Sequence, residues 1–176
     1  MSYRLPEYID PVQLAEKRGE LKGQMPVSRL DRLADMLADN TGFVDVELYF
    51  SREGRLPKIQ GQIVAELSLC CQNCLQAVIW PITHEVNLGI VKSIEQANRL
   101  PEDIEPLLLE QDTVPIKDII EDELLLSLPT YPKHQYDCLA LYKGIKNTDV
   151  NKSVKGQEAK TNPFSILANL KNTGEP

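Results

Sequence analysis

Along residues 43–50, apolar Val44, Val46, Leu48 and Phe50 alternate with Asp45, Glu47 and Tyr49. A period of two predicts a strand with one buried face. The alternation returns in Ile63, Ala65, Leu67, Leu69 and Cys71, and again in Val78, Trp80, Ile82, Val86, Leu88 and Ile90. Arg52-Glu53-Gly54-Arg55 supplies a turn between the first two runs, and Cys71-Gln72-Asn73-Cys74 a tight turn between the second and third. Residues 57–71 and 78–92 are therefore expected to form a hairpin presenting two thiols at its tip. Gly61 predicts a bulge, and Pro81 an edge position or a second bulge.

Helical signals flank this meander. Asp10 as N-cap and Pro11 at the first helical position predict a short helix that Gly19 stops. A strand follows over 20–25, and Tyr3 to Ile9 offers an edge strand weakened by Pro6. Ser28 with Asp31 three residues later reads as a capping box for a helix lined by Leu30, Leu33, Ala34 and Leu37 and ended by Asn40-Thr41-Gly42. Residues 94–100 read as a helical turn and 106–110 as a short strand. Val114-Pro115 opens a further helix with Ile116, Ile119, Ile120, Leu124 and Leu128 on one face. Glu121, Asp122 and Glu123 are read as its solvated side. The fold expected is α+β: an antiparallel β-meander with two to three helices over residues 1–138. A flexible linker over 139–161 and a C-terminal amphipathic helical motif over 162–176 follow it.

Composition narrows the class. A chain of 176 residues, 42% hydrophobic and 26% charged, has the make-up of a soluble protein and can build a core without disulfides. Its N-terminus lacks an apolar leader, no run is long enough to span a membrane, and four uneven cysteines do not resemble a secreted disulfide framework. A cytoplasmic location is expected. Residues 1–138 carry 13 Lys+Arg against 23 Asp+Glu, whereas residues 139–176 carry 6 against 3. An acidic body repels phosphates, so direct RNA contact falls to the tail, whose positive charge is small.

Little of the chain points to catalysis. There is no Gly-rich phosphate loop, no G-x-S-x-G and no H-E-x-x-H, and only two histidines exist. His84 falls on the apolar register of its strand, as a hydrogen-bonded core histidine would. The acidic triplet at 121–123 cannot be assigned as catalytic carboxylates, because neighbouring helical residues point in different directions. Cys71 and Cys74 are half of a zinc knuckle, and His134 with Cys138 could complete a tetrahedral site, so zinc is the cofactor considered. The competing reading is an empty, reduced thiol pair. A redox role fits less well, since a thioredoxin-like Cys-x-x-Cys precedes a helix. Cys70 faces the other side of its strand.

The order of Cys71-Gln72-Asn73-Cys74, Glu121-Asp122-Glu123-Leu124-Leu125-Leu126-Ser127-Leu128-Pro129, Pro132-x-His134, Cys138 and the segment from Asn162 to Lys171 resembles the bacterial YceD family. Asp10-Pro11 and Leu100-Pro101 extend the likeness over nearly the whole chain. That family is named for accumulation of large-subunit ribosomal RNA, and its members often carry paired cysteines where His134 and Cys138 stand. The resemblance implies a non-enzymatic ribosome biogenesis factor supporting synthesis, processing or stability of 23S rRNA. The acidic body favours action through a protein partner, met by Pro163, Phe164, Ile166, Leu167 and Leu170 of the tail. The alternative is a metal- or thiol-dependent enzyme acting on RNA or on a biosynthetic intermediate.

Overall fold

Residues 4–140 are described by a computed structural model. The alternating runs become three long strands, β4 (Phe43–Glu53), β5 (Leu56–Cys70) and β6 (Ala77–Val91). Each pairs antiparallel with the next, in the expected meander. β2 (Glu20–Pro26) adds antiparallel to the outer edge of β4. β3 (Leu37–Asp39) pairs with β5 at Leu69 and Ser68, beyond the last β4 pairing at Ala65. β7 (Glu105–Leu108) closes the other edge and runs parallel to β6, so the sheet is mixed rather than purely antiparallel. The α+β class holds.

One sheet face is apolar. Val44, Val46, Leu48, Phe50, Ile59, Ile63, Leu67, Leu69, Val86 and Leu88 are all buried, as strict alternation requires. α3 (Ile116–Ser127) lays Ile116, Ile119, Ile120 and Leu124 against this core, each about 1.5–3 kcal/mol of burial. Val114 and Pro115 are not its first turn. They form β8 and pair with β1 (Tyr8–Ile9), the part of the expected N-terminal edge strand that is a strand among the described residues. α1 (Pro11–Lys17) starts as expected, with the Asp10 carboxylate accepting from Gln13 N at 2.8 Å. Its left-handed end residue is Arg18 rather than Gly19. α2 (Ile94–Ala97) is a single turn capped by Ser93.

The helix expected from Ser28 does not form. Residues 27–29 and 34–36 make separate 3₁₀ turns, and Leu37 enters β3. Leu30 and Leu33 are buried, so the apolar spacing was real. The backbone N–H groups of Arg32 and Leu33 donate instead to Glu121 Oε1 on α3, at 2.6 and 3.2 Å. A long-range carboxylate has replaced the local helical acceptors. Nor is Gly61 a bulge, because pairing with β4 runs through it without a shift. A Cβ there would lie 2.0 Å from Glu47 O, so glycine permits the close approach of two strands. Pro81 does take an edge place: β6 pairs with β7 only from Leu88 to Val91, leaving that side of Pro81 unpaired.

The expected linker over 139–161 and helical motif over 162–176 lie outside the described residues, apart from 139 and 140. Among the described residues no helix is long and apolar enough to cross a membrane.

Candidate metal centre

The β5–β6 turn is built to present thiols. Cys71 N donates to Gln76 O and Leu75 N to Cys71 O, both at 2.9 Å, and Leu75 takes the left-handed conformation at φ 60°. Gln72 N donates to Pro132 O at 2.9 Å, tying the turn to the segment that follows α3. Pro129 and Pro132 keep that segment from continuing the helix. It is thereby led past the hairpin tip, and His134 and Cys138 arrive beside Cys71 and Cys74.

All four predicted ligands meet. Their sulfur and nitrogen donor atoms lie within 4.8 Å of one another, in a group that could hold one metal ion. Cys71 Sγ and Cys138 Sγ are 3.9 Å apart, and Cys74 Sγ lies 3.5 Å from His134 Nδ1. Cys71 and Cys138 are buried, and no disulfide joins the four cysteines. His134 Nε2 is 3.1 Å from Ala77 O. A carbonyl can only accept, so this contact places the proton on Nε2 and leaves the Nδ1 lone pair for a metal. Tyr136 packs on the imidazole with ring centroids 4.8 Å apart. Cys70 stays outside the group, as its strand face requires.

The electrostatics divide the thiols. Burial pushes Cys71 up, yet the backbone N–H groups of Cys74, Asn73 and His134, with the Cys74 side chain, outweigh it and hold the thiol at about 6. Cys138 is pushed up to about 11, by burial and then by Cys74 and Cys71. Cys71 is thus the more easily ionised of these two thiols. A groove of about 390 Å³ opens beside His134, lined mainly by Val78, Ile79, Trp80, Pro81 and Tyr136. Lys133, His134 and Gln135 complete its lining.

A second polar cluster corrects the reading of the acidic triplet. Asp122 is exposed, but Glu121 and Glu123 are buried. Glu123 Oε2 lies 2.7 Å from His84 Nε2, which is the hydrogen bond expected of a histidine on the core face. The helical period already put Glu123 beside Ile119, Ile120 and Leu124, so a polar residue on each of two facing apolar surfaces was a readable signal. Glu121 could not be read, because its partners are backbone N–H groups some 88 residues away. The predicted tail residues Pro163, Phe164, Ile166, Leu167 and Leu170 lie outside the described residues.

A family model described as "Large ribosomal RNA subunit accumulation protein YceD" matches residues 59–171, which include all four candidate ligands. The chain is similar to the large ribosomal RNA subunit accumulation protein YceD of Haemophilus influenzae, 28% identical over 175 residues that cover 96% of this chain and 97% of the relative. No solved structure matches. With the match spanning well over half of the sequence, the chain belongs to the YceD family.

Proposed function

We propose that this protein is a non-enzymatic factor that supports large-subunit rRNA accumulation in the cytoplasm, with its hairpin tip locked by a structural zinc ion. The name of the similar Haemophilus protein supports the rRNA role. The observation that carries the non-catalytic reading is the convergence of four protein donors. A tetrahedral ion held by all four keeps no open position for water or substrate, as in structural rather than catalytic sites. Thiolate and imidazole donors favour zinc over magnesium or calcium. Metal–sulfur bonds of about 2.3 Å and metal–nitrogen bonds of about 2.0 Å put tetrahedral donors about 3.5–3.8 Å apart. The 3.9 and 3.5 Å separations fit, and donors up to 4.8 Å apart would have to close by about 1 Å around the ion.

Bound there, zinc supplies a cross-link between the β5–β6 turn and the segment carrying His134 and Cys138. The partner is a protein of ribosome assembly or rRNA metabolism, engaged in part by Phe164, Ile166 and Leu167. Protein purified without chelator should contain about one zinc per chain by elemental analysis. Cys74→Ser should lose the ion, and cells with that variant as their sole copy should accumulate less large-subunit rRNA. Undiminished zinc in Cys74→Ser, or normal rRNA from a chain shown to be zinc-free, would overturn the reading.

A further inference from the structure

Away from the cysteines, β7 and α3 border a groove of about 340 Å³. Buried Leu88 and Ile119 form its floor, half-buried Leu107 and Leu125 its walls, and Leu126, 71% exposed, stands at its mouth. An exposed leucine over an apolar depression is costly to hydrate and marks a surface that gains by being covered. The surrounding charge says by what. Both elements belong to residues 101–127, which hold nine acidic residues and one lysine, a net −8 against −7 for the whole chain. That lysine, Lys117, is paired with Asp31, and Arg32 at the groove is paired with Asp122. Glu102, Asp103, Glu105, Glu110 and Asp112 have no salt-bridge partner among the described residues.

We propose that the groove between β7 and α3 takes an apolar side chain from a lysine- and arginine-rich protein segment, whose cations meet the carboxylates of residues 101–112. Nucleic acid is disfavoured at this surface, because its phosphates would face uncompensated acids. A basic segment gains twice: its cations are steered in by the field, and its apolar residue leaves water over Leu107 and Leu126. The inference rests on the reading that the protein acts by docking on protein, and it names the chemistry of that partner.

The test uses the full chain and a fluorescein-labelled synthetic peptide in which lysines and arginines flank a central Leu-Phe pair. Fluorescence anisotropy should show binding that weakens with salt. Leu126→Ser should weaken it by about tenfold, the loss expected for one buried leucine contact. Glu102→Gln with Glu105→Gln should flatten the salt dependence. Both variants alter exposed side chains, and an unchanged melting temperature would show that they remain folded. Benzoylphenylalanine placed at position 126 should photo-cross-link the peptide.

Equal binding of a control peptide with Ser-Ser at its centre, or no binding at all, would overturn the proposal. So would a cross-link to residues 141–176 of the same chain or to a second copy. A single-stranded RNA whose binding Leu126→Ser weakens would show that the groove serves nucleic acid instead. Loss of peptide binding in Leu126→Ser with normal rRNA would sink the groove's part in the function alone. The rRNA and zinc measurements on Cys74→Ser decide the broader reading separately.

Discussion

Glu123 sits where a carboxylate is hard to ionise. Burial raises its pKa above the usual carboxylate range, and the hydrogen bond to His84 offsets part of that shift. The unfolded chain therefore releases this proton first. The group's contribution to stability is fully present below the ordinary carboxylate pKa and is lost as pH rises through the raised value. Glu123→Gln keeps a hydrogen-bonding partner for His84 but cannot ionise. Its melting temperature, relative to the parent, should improve as pH goes from about 4 to about 8. A variant-minus-parent difference that stays constant or falls over that range would show that Glu123 pays no desolvation penalty. Glu121 is a different case. One oxygen holds two backbone N–H groups, while Oε2 has no hydrogen-bond partner among the described residues, and Arg32 and Lys117 supply the nearby positive charge.

At the scale of elements, the long β4–β5–β6 meander depends on one close approach. Alanine at position 61 would place a Cβ against Glu47 O and the Leu48 backbone, and neither is the end of a flexible side chain that could move aside. Gly61→Ala should destabilise the protein by about 1–3 kcal/mol or more, read as a shift in the urea midpoint without loss of the α+β circular-dichroism signature. An unchanged midpoint would mean that the strands separate there at little cost. The hairpin is also the element that was most legible. Its alternation, the Cys-x-x-Cys turn and the proline at an unpaired edge are all local signals, and local signals survive in a sequence. The 28–40 segment carried an equally good local signal and did not become a helix, because Glu121 satisfies its backbone from across the fold.

For the whole molecule, charge is unevenly spread. Residues 67–83, around the hairpin tip, carry no charged side chain, while residues 101–123 hold nine of the 26 acidic residues. Residues 139–176 have six lysines against three acids, with Phe164, Ile166, Leu167 and Leu170 near their end. If the tail docks on protein, its apolar residues matter more than its cations. Phe164→Ala with Leu167→Ala should impair large-subunit rRNA accumulation and leave the melting of the α+β body unchanged. Lys152, Lys155 and Lys160 replaced by Gln should have a smaller effect. The reverse order, measured with each variant as the only copy in the cell, would make the tail an RNA-binding arm, since phosphate binding needs clustered cations.

The sequence by itself determined the β4–β5–β6 meander and the buried face of its strands, helices α1 and α3 with the single turn of α2, and the candidacy of the four residues that meet at the hairpin tip. Periodicity, capping and the Cys-x-x-Cys turn act over a few residues, so they can be read one segment at a time. His134 and Cys138 joined them through the order of motifs along the chain, not through spacing alone. Only the tertiary structure decided that β7 adds in parallel, that Val114-Pro115 pairs with Tyr8-Ile9, and that Glu121 is a core residue. Each of these depends on partners distant in sequence, whose backbone and side-chain groups become available only when the sheet and α3 pack together.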